Sequence, residues 1–118
     1  MIKVVVLLPR RNDMRREEFE RYLRETHQPL LVRMPGLRRL VVNWILPDPN
    51  GPVPDYDMVG EDWFDDAQAM QAAFASPEGK AVIDDTPNFV DMSRFRLMVT
   101  DEEEVPLPGA SKVTGQVL

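Results

Sequence analysis

The chain opens with a run of apolar, mostly β-branched residues, Ile2 to Leu8, that Pro9 ends. A run of that length with apolar side chains at consecutive positions predicts a buried, central strand. A polar loop, Arg10 to Met14, follows. From about Arg15 toward Met34 the spacing changes to that of a helix. At about 100° per residue, Phe19, Tyr22, Leu23, Thr26, Leu30 and Met34 share one face. His27 falls on the edge of that face, between Leu23 and Leu31. Glu17, Glu18 and Glu20 occupy the first turns, where the helix dipole favours acids. Pro29 lacks an N–H and its ring collides with the carbonyl of Glu25, so a kink is expected there. Pro35-Gly36 ends the helix.

Leu37 to Leu46 is expected to form the second strand. Pro47, Pro49, Pro52 and Pro54 surround Asn50-Gly51 and forbid regular structure between it and the next strand. Tyr56 to Phe64 is the third strand. Asp65 then caps a second helix with Ala67, Met70, Ala73 and Phe74 at helical spacing. Ser76 caps a continuation with Pro77 at its first position, ending near Thr86-Pro87. Phe95 to Thr100 is the last strand. The order β-α-β-β-α-β is the ferredoxin-like α+β pattern, a four-stranded antiparallel sheet with helices on one face. The strands carry apolar residues on both faces, Val41 and Ile45 against Val42 and Trp44. A second copy is the simplest cover for the face without helices, so a homodimer is expected. Residues 1–105 are expected to form the domain and 106–118 a C-terminal tail.

Composition narrows the chemistry. The chain of 118 residues contains no cysteine and one histidine. Thiol catalysis, disulfides, cysteine-held metals and a multi-histidine site in one protomer are therefore excluded. The net charge of −6 gives no general attraction to nucleic acid. Arg10, Arg11, Arg15 and Arg16 cluster, but the acids that follow read as a solvated helix start. No segment is long enough to span a membrane and none reads as a signal peptide, so a cytoplasmic location is expected. A glycine-rich phosphate loop and a basic cradle are absent, so neither organic cofactor nor metal is expected.

The candidate chemistry centres on His27, because an inward imidazole needs partners for two ring nitrogens and titrates near neutral pH. Strand alternation groups Leu40 with Trp44, and Tyr56, Met58, Gly60 and Asp62 with Phe64. Gly60 removes a side chain from the middle of that row and leaves volume. The bland alternatives stay open. His27 could bond a carbonyl freed by Pro29, Asp62 could belong to a solvated acidic run, and the aromatics could be core.

Several segments together resemble the EthD family of the dimeric α+β barrel superfamily. They are Ile2 to Leu8, Phe19 through Pro29 with His27, Met34-Pro35-Gly36-Leu37, Gly60 to Asp65, Ser76-Pro77-Glu78-Gly79, Phe89-Val90-Asp91 and Val99 to Glu102. The resemblance covers roughly residues 2–105. It implies two sheets facing each other in a homodimer, helices outside, and a pocket between each sheet and its own helices. The family is named for a protein linked to ether degradation. It includes methylmuconolactone methylisomerases and fungal dehydratases or decarboxylases of polyketide pathways. In the methylisomerases a histidine at the position of His27 works beside a tyrosine and a cysteine. Those two positions correspond to Leu40 and Asp62, so this chain keeps the histidine and lacks both companions.

The resemblance points Leu40 and Asp62 into the pocket. Alternation then brings Trp44, Tyr56, Met58 and Phe64 with them, and Tyr22 from the helix. Asp62 is expected to orient His27, which would fix its tautomer and strengthen it as a base. Two function classes follow. One is a cofactor-independent acid–base isomerase, dehydratase or decarboxylase acting on an aromatic, lactone or polyketide-like molecule, with a cofactor-independent monooxygenase as its variant. The other is a non-catalytic dimer that binds a small ligand as an accessory protein of a degradation pathway. A haem role would need His27 as axial ligand, since no other imidazole exists.

Overall fold

The computed structural model describes residues 1–109. Its elements follow the order β1 (Ile2–Leu8), α1 (Arg16–Tyr22), a π-helical turn (Leu23–His27), α2 (Gln28–Leu31), β2 (Arg39–Trp44), β3 (Met58–Phe64), α3 (Ala67–Ala75), α4 (Pro77–Asp85), a 3-10 turn (Thr86–Asn88) and β4 (Arg96–Asp101). The four strands form one antiparallel sheet in the order β2-β3-β1-β4. This is the ferredoxin-like arrangement that the pattern predicts. The C-terminal tail expected from 106 onward lies, from residue 110, outside the described residues.

Register decides which side chains meet. Asp62 sits opposite Leu40 on one neighbour and Val4 on the other. Val4, Leu40, Asp62 and Phe64 thus face the helices. Lys3, Val5, Val41, Glu61 and Trp63 face the other way, because successive strand residues alternate. On the helix side, one core cluster gathers Val4, Leu31, Met34, Phe64, Ala73 and Val82. A second gathers Leu8, Phe19, Leu23, Met58, Phe89 and Val90. On the uncovered side, Lys3 bonds Glu61 at 2.8 Å and Glu102 at 3.0 Å. Lys3 and Arg39 also lie over the Trp63 ring. That face is an apolar ground of Val5, Leu7, Val41 and Val59 crossed by one charged ladder.

The caps follow local chemistry, with one correction. Ser76 Oγ accepts from the Gly79 N–H at 3.1 Å, and Pro77 occupies the first turn of α4, as expected. The cap of α3 is Asp66, not Asp65. Asp66 accepts from the Ala69 N–H at 2.8 Å, whereas Asp65 is held away by a two-bond pairing with Arg38. The arginines of the N-terminal cluster each meet a carboxylate: Arg10 Asp57, Arg11 Asp13, Arg15 Glu18 and Arg16 Glu20.

The helix break takes a form that a regular 3.6-residue period does not foresee. The Gln28 N–H bonds the Leu23 carbonyl, an i→i+5 step. The buried residues of this stretch are Phe19, Leu23, His27 and Leu31, four apart each time, while Thr26 is exposed. An ideal α-helix drifts about 40° over four residues, so Phe19 and Leu31 would diverge by about 120°. The wider π turn takes up part of that drift just before Pro29, the residue that cannot continue the ladder. His27 therefore lies fully inside, not on the edge.

Candidate active site

A cavity of about 250 Å³ lies between the sheet and the helices. Its floor is Val6, Leu40, Val42, Met58 and Gly60 of the strands, and its roof includes Leu31, Met70, Phe74 and Val82. Ile83, Met92, Leu97 and Val99 line it and are exposed, so they mark where it opens between α4 and β4. Gly60 keeps the floor low. A Cβ there would meet the Val6 Cγ2 at 2.8 Å, too close without a shift of that side chain. Among the described residues, three polar side chains reach the lining: His27, Asp62 and Thr86. The Thr86 hydroxyl is spent on the Val82 carbonyl at 2.8 Å.

His27 is held from behind. Its Nδ1 lies 2.9 Å from Asp85 Oδ2. The other oxygen of Asp85 accepts from the Tyr22 hydroxyl at 2.5 Å and from the Asn88 amide at 3.1 Å. The imidazole is 4.7 Å from the Phe89 ring, on which Tyr22 stacks at 4.9 Å. Burial opposes the charge of Asp85, but the bonds from Tyr22, His27 and Asn88 together hold its carboxyl below the ordinary range. Burial pulls His27 below its ordinary value and outweighs the opposing pull of Asp85. Burial and the neighbouring Asp85 both push the Tyr22 hydroxyl up. At neutral pH the pair is therefore a carboxylate and a neutral imidazole. A carboxylate only accepts, so the proton sits on Nδ1 and Nε2 carries the lone pair. Nε2 makes no hydrogen bond within the described protein and is the nitrogen left for a bound molecule.

Asp62 differs in kind. It is 5% exposed, lines the same cavity and, among the described residues, makes no hydrogen bond or ion pair. Burial between Leu40 and Val4 pushes its carboxyl up to about 6. The expectation that Asp62 orients His27 is corrected: Asp85 does so. Asp62 projects from the middle of β3, whereas His27 Nδ1 points to the end of α4.

The other expected pocket residues divide. Leu40 and Met58 line the cavity. Phe64 is fully buried in the core against Phe74 instead. Trp44 faces the helices but lies under α1, edge-on to Phe19 with Arg16 and Arg24 over its ring. Tyr56 precedes β3, so alternation does not govern it, and it lines a separate polar groove with Arg10, Arg16 and Arg94. Tyr22 serves Asp85 and is not part of the cavity wall. Asp85 was missed by sequence reasoning. One signal was available: an acid in the last turn of a helix opposes the dipole, and a residue kept there needs another reason. Among the described residues no three His, Asp or Glu side chains gather as a metal site, and no helix is long and apolar enough to cross a membrane.

Comparison with known proteins places this architecture. No curated relative matches the sequence. Among solved structures, an EthD family protein from Bacillus halodurans is 30% identical, with a TM-score of 0.76 over 87% of this chain and 99% of that one. A dimeric protein of unknown function and ferredoxin-like fold from Bacteroides fragilis is 14% identical, with a TM-score of 0.64 over 86% and 95%. SnoaB, a cofactor-independent oxygenase from Streptomyces nogalater, is 16% identical, with a TM-score of 0.62 over 88% and 94%. These last two share the fold. The family model of the EthD domain matches residues 11–93, which contain His27, Asp62 and Asp85 alike, and the chain belongs to the EthD family.

Proposed function

We propose that this protein is a cofactor-independent acid–base enzyme that works as a homodimer on a small, largely apolar molecule. His27 Nε2 carries the proton, and Asp85, backed by Tyr22 and Asn88, is its positioning residue. The observation that carries the reading is the 2.9 Å contact of Nδ1 with a carboxylate outside the cavity, which leaves the opposite nitrogen for the cavity. A lone imidazole bonding a backbone carbonyl would need no such carboxylate. A cavity of about 150 Å³ takes benzene, so about 250 Å³ suits a substituted ring, a lactone or two fused rings. Isomerisation, dehydration and decarboxylation all proceed through a proton moved at carbon or oxygen by one such base. The likeness in fold to a cofactor-independent oxygenase supports chemistry done by side chains alone.

The test uses enolisable ketones and lactones incubated with the protein in D2O, with exchange at the carbon beside the carbonyl followed by NMR. Accelerated exchange is expected, and His27→Ala should slow it by about two to four decades. Binding without exchange would favour the ligand-binding accessory protein. Acceleration that survives His27→Ala would remove the histidine from the reaction.

A further inference from the structure

The carboxyl of Asp62 has no function in the Tyr22–Asp85–His27 chain, and its burial is costly. A charge in an apolar wall without partner or cation is one of the most unfavourable arrangements a domain can hold. Every neighbour that register gives it on the cavity side is apolar: Leu40, Val4, and Gly60 two residues back on its own strand. The helical elements add Leu31, Met70, Phe74 and Val82 around the same space. Among the described residues lining the cavity, His27 is the only other group that titrates.

We propose that Asp62 meets a bound molecule as an uncharged carboxylic acid that donates a hydrogen bond to its carbonyl oxygen, so that the enzyme takes neutral carbonyl compounds, ketones or lactones, rather than carboxylates. The inference rests on the reading of this cavity as the active site and adds the substrate class to it. Ligand binding favours the acid form twice: an apolar molecule displaces water from the carboxyl, and a carbonyl oxygen can bond only the protonated oxygen. With the carbonyl on Asp62 and an adjacent C–H on His27 Nε2, both ends of an enolisation are served. His27 takes the proton from carbon, and the C–H electron pair becomes the new C=C bond. The C=O π pair moves to oxygen, which takes the proton of Asp62. The products are an enol, an imidazolium and a carboxylate. In a conjugated substrate, return of the imidazolium proton to the far carbon, with the enol proton going back to Asp62, completes an isomerisation without loss of atoms. A carboxylic acid kept neutral by an apolar site to act as donor is established chemistry in other enzymes.

The experiment compares three probes of one shape: 1-tetralone, the hydrocarbon tetralin and the cation 1-aminotetralin. Calorimetric titration at pH 5 and pH 8 on the full chain should show the ketone binding about tenfold tighter than the hydrocarbon at pH 5, the scale of one buried hydrogen bond. The preference should shrink at pH 8. At pH 7 ketone binding should take up a proton, seen as a dependence of the heat on buffer. Asp62→Asn should keep the preference at both pH values, because an amide N–H donates without titrating. Asp62→Leu should abolish it. A preference that survives in Asp62→Leu, no preference in the wild type, or tighter binding of the amine overturns the proposal. His27→Ala should keep the ketone preference while losing α-hydrogen exchange of 1-tetralone in D2O, so the role of His27 and the role of Asp62 fail separately.

Discussion

An unpaired carboxyl inside an apolar wall predicts that a single-atom exchange, Asp62→Asn, stabilises the protein at one end of the pH scale and not at the other. In the folded chain the Asp62 carboxyl titrates at about 6, against 3.8 when exposed, with burial as the cause. The folded state thus holds its proton more tightly than the unfolded state. Between those two values it binds more protons, so its stability falls as pH rises through the window. Two pH units correspond to about 3 kcal/mol. At pH 4.5 the folded acid is neutral like the amide, but the unfolded one, at 3.8, is already mostly ionised, so about 1 kcal/mol of this term already favours Asp62→Asn. By pH 8 Asp62→Asn should gain roughly 2 kcal/mol more. His27 has the opposite slope: its folded value is lowered, so its contribution is present above 6.5 and lost on acidification. Both proteins share that term, and it drops out of the comparison. Urea unfolding at pH 4.5, 6 and 8 measures the difference, at one protein concentration because association would shift both curves. A difference that does not change with pH would refute the reasoning, and would mean that the carboxyl finds a partner in solution.

Asp85→Asn should lower the pKa of His27 further, because a neutral amide no longer favours the imidazolium, and should mix the two tautomers. Nitrogen NMR reads both without ambiguity in a protein with one histidine, and an unchanged titration would show that the 2.9 Å contact is not made. The same variant should cost about 1–3 kcal/mol in unfolding experiments, since a charged acceptor of three hydrogen bonds is replaced by a weaker one. Light scattering should give twice the protomer mass, and Val5→Asp, in the middle of the sheet face without helices, should shift it toward the monomer. A wild type that is monomeric at micromolar concentration would refute the dimer.

The order of elements was legible because each segment repeats one period long enough to be read. Ile2–Leu8 has the length and branching of a buried strand, and Ser76-Pro77 is a cap and first turn in two residues. Alternation along β2 and β3 placed Leu40, Met58 and Asp62 on the side that the cavity occupies. The same rule failed at Tyr56, since the strand begins two residues later, at Met58. It placed Trp44 on the correct face but not in the cavity, because position along a strand decides which helix lies above it, and that is a property of the whole fold. Phe64 fails for the same reason: it shares the face of Asp62, but the core above it is closed.

The site itself was half legible, and the reason lies in the π turn. A regular period sends Thr26 inward and leaves His27 on a border, from which the acid on the facing strand looks like its natural partner. One i→i+5 bond rotates that picture. Thr26 turns to solvent, His27 turns in, and its Nδ1 meets the end of α4, some sixty residues downstream, where Asp85 waits with Tyr22 and Asn88. Local pattern cannot show that meeting, since it depends on a departure from the pattern. The departure also separates two roles that a sequence reading had merged. One acid, ionised and hydrogen-bonded three times, sets the tautomer of His27 from outside the cavity. The other, unpaired within the cavity, is costly to the fold unless a ligand meets it. Orientation of His27 does not account for that cost, because Asp85 already holds its Nδ1.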